Sequence, residues 1–388
     1  MRLSHAERVL MTVAFGVRVC TLALSAVASA VVPAYDQSTS LLRVHWLLRG
    51  VASWDAVYMR HIALHGYTHE QTHAFYPLYP LGLLRPLAAV YRVDPLLAGV
   101  AVNVVAFCVA TVVLYRLLQL LQLPDAASGS GRVAFLAAVA FCVTPAGIFF
   151  TAPYSECAFA LASFSGMLAV LRRRRAVAVV AFAAAAALRS NGLLYGGFFL
   201  WPHALRVWMR QPTQWRALAL DLLCVACVLA PMAGVEWYGR ALYCSAGGQS
   251  ELRPYCATWR PAFYSFIQAH YWNQGLFAYW TVQQLPNFAL AAPMAALCAV
   301  ACATAMRRRH FLLQAHAPHV LLLGLMLAVA VCGTHVQTLT RFVSASPVIY
   351  WYAGRQMVDG TRRQWILAYF ASYTIAGSVL FASFYPWT

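Results

Sequence analysis

The sequence contains no lysine: all 28 basic residues are arginine, and only 11 residues are acidic. Charged residues make up 10% of the 388 positions, whereas soluble domains usually carry about 25%. A chain this poor in charge has too little water-facing surface to be an ordinary soluble domain. The 12 Trp, 20 Tyr and 21 Phe exclude a fibrous or disordered protein and suit membrane interfaces and pockets.

The formal net charge of +17 would indicate a nucleic-acid partner if it covered a soluble surface. Most of the arginines instead form short clusters between apolar runs, as in cytoplasmic loops that face anionic lipid, so we expect no nucleic-acid partner. Most cysteines also lie inside apolar runs, where they are small packing residues. Cys244 and Cys256 lie in a polar loop and could form a disulfide if that loop is luminal.

Long hydrophobic runs dominate the chain, and about 20 apolar residues span a bilayer. The first run follows Arg2 and Arg8 and is too long for a cleaved signal, so we expect it to remain as an anchor. The sequence predicts an all-α polytopic membrane protein with one domain over residues 1–388. About eight to twelve spans are expected, and the candidates are 9–32, 95–123, 133–151, 154–171, 176–188, 192–209, 217–235, 286–306, 318–333, 342–354 and 364–385.

The arginine clusters orient these runs. With a cytoplasmic amino terminus, the positive-inside rule is satisfied because the cytoplasmic connections contain 124–132, 172–175, 206–216, 307–310 and 355–363. The opposite face, which we expect to be luminal, collects aromatic residues, histidines, amides and single acids. It comprises a long loop at about 33–94, a turn at 189–191, a second loop at about 236–285 and the segment 335–341. We expect the active site on this face.

Asp55 is one of the few acids in the first luminal loop. A carboxylate beside Trp54, and near Arg60 and His61, could act as a general base toward a sugar hydroxyl. Alternatively, Ser53 caps a short interfacial helix and Asp55 merely occupies its favourable first turn. Residue types alone leave both interpretations open.

Four histidines in the same loop recur at a spacing of four residues: His61, His65, His69 and His73. On an unbroken helix they would line one face and invite a metal ion. Because Gly66-Tyr67 interrupts the run, we favour histidines that hydrogen-bond to lipid headgroups and predict no metal.

Three further luminal segments carry candidate binding residues. The turn from Arg189 to Gly192, including Asn191, either holds a phosphate or is simply a capped turn. His335 and Arg341 lie at a membrane entry point, where the arginine either reaches the headgroups or neutralises a lipid-linked phosphate. The third segment suits a sugar platform or an ordinary interfacial helix and contains Gln268, His270, Tyr271, Trp272 and Asn273.

Short motifs follow one another in a fixed order from about residue 45 to residue 352. They are Trp54-Asp55-Ala56, His61-Ile62-Ala63, His65-Gly66-Tyr67, Glu70, Ala74-Phe75-Tyr76-Pro77, Pro153-Tyr154-Ser155-Glu156, Arg189-Ser190-Asn191-Gly192, Gln268-Ala269-His270-Tyr271-Trp272-Asn273, Gln284, Pro286-Asn287-Phe288, His335-Val336-Gln337 and Thr340-Arg341-Phe342. This ordered set resembles the PIG-V family of GPI mannosyltransferase II, multispanning glycosyltransferases of the GT-C class.

The resemblance implies a GT-C-like helical bundle in the membrane of the endoplasmic reticulum, with short interfacial helices in its luminal loops. It implies transfer of a second mannose, in α1,6 linkage and with inversion, from dolichyl-phosphate mannose to a GPI-anchor precursor. The implied partners are these two glycolipids, membrane lipids and a small accessory membrane subunit, with no cofactor and no metal. On this resemblance we hypothesise that Asp55 is the base and that substrate contacts come from Arg341, His335, Arg189, Asn191, Trp54, His65, Glu70, Gln268, His270, Tyr271, Trp272 and Asn273.

Two other interpretations remain at this point. A transporter or lipid scramblase also has many spans, although it usually shows inverted repeats and charged residues near the bilayer midplane. The nearer alternative is another dolichol-dependent mannosyltransferase that acts on protein or N-glycan precursors.

Overall fold

The computed structural model describes residues 3–36, 44–121, 130–244, 253–260, 262–307, 309–360 and 362–387. Parts of both predicted luminal loops and of three arginine-rich connections lie outside these ranges. Within them every regular element is a helix, as the sequence predicts.

The α-helices of the described residues are α1 (His5–Val31), α2 (Trp46–Arg49), α3 (Asp55–His65), α4 (Arg85–Tyr91), α5 (Pro95–Leu120), α6 (Ser130–Cys142), α7 (Glu156–Leu171), α8 (Arg175–Leu188), α9 (Gly197–Trp208), α10 (Trp215–Tyr243), α11 (Phe263–Trp272), α12 (Leu285–Met306), α13 (Ala317–Gly333), α14 (Leu339–Phe342), α15 (Pro347–Asp359) and α16 (Arg363–Ala382). Short 3₁₀-helices occupy Glu70–Ala74, Gly147–Phe150, Ser190–Gly196, Pro254–Cys256, Val282–Gln284, Phe311–Leu313 and Val336–Thr338, and a π-helix occupies Leu78–Leu84.

Each of the eleven predicted runs overlaps one main α-helix, but these helices range from 12 residues in α9 to 29 residues in α10. In the described part of the chain, α1, α5, α10, α12 and α16 are long and apolar enough to cross a membrane. The apolar helices α6, α7, α8 and α13 are shorter. The 3₁₀-helix Gly147–Phe150 takes up residues at the end of the run predicted at 133–151, and Ser190–Gly196 takes up residues at the start of the run predicted at 192–209. Irregular backbone of this kind is tolerated at membrane depth where protein surrounds it.

Arg18 explains why α6 ends at Cys142, nine residues before the predicted run does. Its fully buried guanidinium donates to the Cys142 carbonyl at 2.9 Å, to Thr151 Oγ1 at 3.2 Å and to the Gly147 carbonyl. These carbonyl and hydroxyl oxygens, and the ring of Phe107 4.3 Å away, compensate the buried charge. Arg18 thereby fixes the turn that leads into α7.

Ion pairs show which helix ends meet. Glu7 at the start of α1 lies 2.5 Å from Arg116 near the end of α5, and Arg175 at the start of α8 lies 3.1 Å from Asp221 in α10. The start of α7, the end of α8 and the segment before α15 meet at the opposite end of the bundle, together with the first loop. This alternation of helix direction is the one that the arginine clusters predict.

Candidate active site

Asp55 is the first residue of α3, and an unusual backbone places it there. Trp54 before it has φ of 57°, a conformation that costs energy for a non-glycine residue and often marks functional sites. The backbone N–H of Asp55 donates to the Tyr154 hydroxyl at 2.9 Å, which joins this turn to the segment just before α7. The alternative in which Ser53 caps α3 is wrong, because Trp54 is the N-cap residue and its side chain makes no capping hydrogen bond.

A chain of ion pairs links Asp55 to three distant residues. Arg341 donates from Nη2 to Asp55 Oδ2 and from Nε to Glu156 Oε1, both at 2.8 Å. Arg189 approaches the same Glu156 oxygen with Nη1 at 2.5 Å. Two carboxylates and two guanidinium groups from four separate segments therefore form one continuous network. We call these four residues the charged network.

Burial differs sharply along the charged network. The Glu156 side chain is 1% exposed, whereas that of Asp55 is 21% exposed. Arg341 lies between them, 4.8 Å from the centroid of the Phe149 ring and 4.9 Å from that of Tyr154. Burial disfavours its charge, but Glu156 and Asp55 outweigh that effect and raise the pKa of Arg341. Glu156 is thus the buried anchor, and Asp55 is the carboxylate open to a ligand.

Arg189 owes its position to the close packing of the turn that follows α8. A Cβ atom on Gly192 would lie 2.4 Å from the Ala186 nitrogen, so only glycine lets the turn approach α8 so closely. Ser190 accepts a hydrogen bond from the Tyr264 hydroxyl at 3.0 Å, which ties the turn to α11. The Asn191 amide nitrogen is buried and has no partner among the described residues.

Aromatic side chains stand beside Asp55. One turn along α3, the ring of Tyr58 stacks on Phe75 with centroids 5.2 Å apart and meets the edge of Trp272 at 5.7 Å. Trp272 is the last residue of α11, so the predicted aromatic platform reaches the first loop through this residue. The indole nitrogens of Trp54 and Trp272 are buried without a partner in the described part of the chain. Both are available as donors to a polar ligand.

Glu70 holds the first and second predicted luminal loops together instead of standing beside Asp55. Its Oε2 lies 2.8 Å from Arg253 Nη1 and accepts a hydrogen bond from the Tyr271 hydroxyl at 2.6 Å. Its Oε1 accepts a hydrogen bond from the Tyr255 hydroxyl. The carboxylate is 4% exposed, so these contacts occupy it.

A disulfide and a helix cap complete the second loop. Cys244 and Cys256 are bonded, as the sequence suggested, and they join the end of α10 to the segment before α11. Glu236 accepts from the backbone N–H groups of Phe263 and Tyr264 at 3.0 and 2.9 Å. These amides are orphan donors of the first turn of α11, so the carboxylate caps that helix. Together the two features fix α11 over the first loop.

His335 lies in a polar cluster at the start of α12, and its ring also hydrogen-bonds to the backbone of Trp272 and Asn273 at the end of α11. Its ring stacks on Tyr279 with centroids 4.5 Å apart. The Tyr279 hydroxyl donates a hydrogen bond to Gln337 Oε1 at 3.2 Å and accepts one from Asn287 Nδ2 at 2.9 Å. Burial lowers the pKa of His335 despite backbone hydrogen bonds to its ring. The imidazole is therefore neutral near pH 7 and can offer a hydrogen bond but no positive charge.

The remaining sequence candidates are His65 at the end of α3 and Gln268, His270 and Asn273 in and directly after α11. The ring of His61 lies 5.0 Å from that of His65 and 5.6 Å from that of His69, and α3 ends at His65 as the Gly66 interruption predicts. His65 is ten residues beyond Asp55, about 15 Å along α3. His270 and Asn273 are exposed, and Gln268 occupies the turn of α11 before them. No group of three metal-ligating side chains is found in the described ranges.

Sequence reasoning missed the residue on which the charged network depends. Glu156 appeared only as part of a motif, although it is the only acid between Asp125 and Asp221. A lone carboxylate at the start of an apolar run signals a buried partner, because an unpaired charge there would be costly. Tyr154 and Glu236 were likewise assigned no role.

The family model described as Mannosyltransferase (PIG-V) matches residues 9–388. GPI mannosyltransferase 2 of Drosophila pseudoobscura pseudoobscura is 32% identical, with 88% of this chain and 87% of that protein covered. GPI alpha-1,6-mannosyltransferase 2 of Homo sapiens is 29% identical, with 96% of each covered.

Among solved structures, the Archaeoglobus fulgidus oligosaccharyltransferase aligns with a TM-score of 0.49 at 12% identity, covering 92% of this chain and 53% of that one. The chain thus spans about half the length of that protein. The match to the family model over almost the whole sequence, with the relatives from two animals, confirms the resemblance found in the motifs. The chain belongs to the PIG-V family of mannosyltransferases.

Proposed function

We propose that this chain transfers the second mannose, in α1,6 linkage, from dolichyl-phosphate mannose to a GPI-anchor precursor in the lumen of the endoplasmic reticulum. The observation that carries the proposal is the charged network. A partly exposed carboxylate stands 2.8 Å from a guanidinium group, and a second guanidinium shares the buried Glu156 anchor. A base beside two phosphate-binding cations is what this reaction requires.

The reaction needs one base and a stabilised leaving group. The acceptor 6-hydroxyl loses its proton to Asp55 while its oxygen forms a bond to the anomeric carbon of mannose. The bond from that carbon to the phosphate oxygen breaks, and the phosphate leaves with one more negative charge. Because attack and departure occur on opposite faces, a β-linked donor yields an α product.

Arg341 and Arg189 are positioned for the leaving phosphate. Guanidinium groups bind phosphate in pairs of parallel hydrogen bonds, and their charge offsets the charge that develops on departure. In the structure Arg341 holds Asp55. An arriving phosphate competes for Arg341 and releases an oxygen of Asp55 to accept the acceptor proton. Glu156 keeps both guanidinium groups in place throughout.

Four further substrate contacts belong to the proposal. The buried nitrogens of Trp54, Trp272 and Asn191 are donors for sugar hydroxyls. His335, as a neutral imidazole, offers an N–H to a sugar or a phosphate. Glu70 and Tyr271 act indirectly, since their mutual hydrogen bond places α11 over the first loop.

Transfer to defined acceptors tests the proposal. Purified protein is incubated with radiolabelled dolichyl-phosphate mannose and, in parallel, with mannosyl-glucosaminyl phosphatidylinositol, an N-glycan precursor and a serine-containing peptide. We expect label in the GPI precursor alone, in a linkage that an α1,6-mannosidase removes. Label in another acceptor identifies a different dolichol-dependent mannosyltransferase, and transport without transfer contradicts the enzyme.

The same assay is run with and without microsomal membranes from cells that lack this chain. Activity that appears only with those membranes supports the accessory membrane subunit. Activity of the purified chain alone contradicts that requirement. Protease protection in sealed microsomes tests the luminal face: the loop around the disulfide is protected if the proposed orientation is correct.

A further inference from the structure

A long groove opens on the side of the bundle next to the charged network. Its volume is about 1170 Å³, and α5, α7 and α8 form it together with the segment from Leu78 to Val93. Its lining is apolar apart from Ser165 and the exposed Tyr91. We propose that this groove binds the polyprenyl chain of the mannose donor, an inference that rests on the proposed function.

Small residues on α7 create the groove. α5 and α8 both pack against α7, and the strip between them carries Ala158, Leu161, Ala162 and Ser165. These positions follow the spacing i, i+3, i+4, i+7 and so occupy one face of the helix. Because three of these four side chains are short, this face leaves a recess between the two flanking helices.

The recess runs along the bundle rather than across it. Its α5 wall extends from Leu97 to Val109, a stretch of thirteen residues that is about 18 Å long. Lipid tails are as apolar as the lining, so hydrophobicity alone does not favour one chain over another. Shape and the position of the headgroup must therefore decide which chain occupies the groove.

The end of the groove near Leu188 reaches the charged network. Leu188 lines the groove and is followed directly by Arg189. Ala158 lines it as well and lies in the same helical turn as Glu156. A chain in the groove that carries a phosphate at its end would therefore present that phosphate to the guanidinium groups of the network.

The structures of the two glycolipids show which lipid chain can occupy the groove during the reaction. In the donor, one unbranched chain is joined directly to the phosphate that leaves. In the acceptor, an inositol, a glucosamine and a mannose separate the lipid phosphate from the hydroxyl that attacks. With the attacking hydroxyl at Asp55, the acceptor's tails lie three sugar rings away. The groove next to Arg189 thus fits the donor.

Filling the groove tests the proposal. Ala162→Phe places a phenyl ring in the recess without entering the core, and Ala101→Phe reaches it from α5 if the first variant does not accumulate. The matched control is Ala371→Phe, on the exposed face of α16. Rates are measured with donors that carry either a full-length polyprenyl chain or only two isoprene units.

We expect the KM for the long-chain donor to rise about tenfold in Ala162→Phe, as when about two methylene groups lose their contacts. The KM for the short-chain donor and for the acceptor stays unchanged, and the control behaves like the wild type. A raised KM for the acceptor instead assigns the groove to the acceptor's tails and overturns the proposal. Unchanged kinetics with both donors overturn it too, because the groove then holds bulk lipid only.

A binding measurement separates failure of this inference from failure of the proposed function. A polyprenyl phosphate with a photoreactive group in its chain is cross-linked to the protein without any sugar donor. We expect label in α5, α7 and α8 that excess polyprenyl phosphate displaces and phosphatidylinositol does not. Labelling without mannosyl transfer rejects the proposed reaction alone, and transfer without labelling in these helices rejects the groove.

Discussion

Replacing Glu156 by glutamine removes the anchor of the charged network while keeping its shape. The carboxylate receives hydrogen bonds from two guanidinium groups, at 2.8 and 2.5 Å, and is 1% exposed. Hydrogen bonds to a charged group are roughly twice as strong as neutral ones, so each contact weakens by about 1 kcal/mol. The four side chains also change from a balanced to a net positive set. We expect a total cost of about 2 to 5 kcal/mol.

This cost falls on the geometry of Arg341 and Arg189, so it appears in catalysis. A loss of about 2 kcal/mol in stabilising the leaving phosphate slows transfer about 30-fold. The assay measures initial rates of mannosyl transfer per folded molecule, with the folded fraction taken from size-exclusion chromatography in detergent.

Glu7→Gln is the matched control, because Glu7 also pairs with an arginine in a mostly buried setting, at the opposite end of the bundle. It should lower thermal stability and leave the transfer rate of the folded fraction unchanged. The reasoning is refuted if Glu156→Gln keeps its rate within about threefold of the wild type, or if Glu7→Gln slows transfer as much.

Three further outcomes follow from the site. Arg341→Lys should lower kcat/KM for mannosyl transfer at least about tenfold, because an ammonium lacks the forked N–H donors with which the guanidinium reaches two carboxylates. A rate near that of the wild type would show that a positive charge at this position is enough for transfer. Because the pKa of His335 is lowered on folding, the unfolded chain binds more protons below about pH 6.5, so stability rises with pH up to that value and then levels off. Melting curves of His335→Gln should show a shallower rise. Cys256→Ser should lower the melting temperature, since the lost bridge closes a short loop worth about 3 kcal/mol, and unchanged melting would contradict this.

Local sequence signals accounted for most helix positions. The run predicted at 95–123 corresponds to the helix Pro95–Leu120. The predicted start is correct because Asp94 caps the helix there, accepting from the Leu96 N–H at 2.8 Å. Gly66 ended α3 as expected. The α6 run was overextended, since its end depends on Arg18, a residue more than 120 positions away. A hydropathy profile of the sequence cannot show a contact between residues so far apart.

The candidate site was only partly predictable for the same reason. Asp55, Arg189 and Arg341 were chosen by residue type and motif, and the structure brings them together. Glu156, which connects them, lies 185 residues from Arg341. Its place as a lone carboxylate at the start of an apolar run indicates a buried partner, but nothing local shows that the partners are Arg341 and Arg189. Glu70 shows the opposite case, since its motif suggested substrate binding and the structure places it between the two loops.

The most direct test of the account is mannosyl transfer by Asp55→Asn compared with Asp94→Asn. Asp94 lies in the same loop and pairs with Arg60 at 2.7 Å, so its replacement also removes one carboxylate–guanidinium contact. We expect that Asp55→Asn accumulates normally but transfers no detectable mannose from dolichyl-phosphate mannose to the GPI precursor, while Asp94→Asn retains transfer. Substantial transfer by Asp55→Asn, at normal abundance, would contradict the assignment of the base.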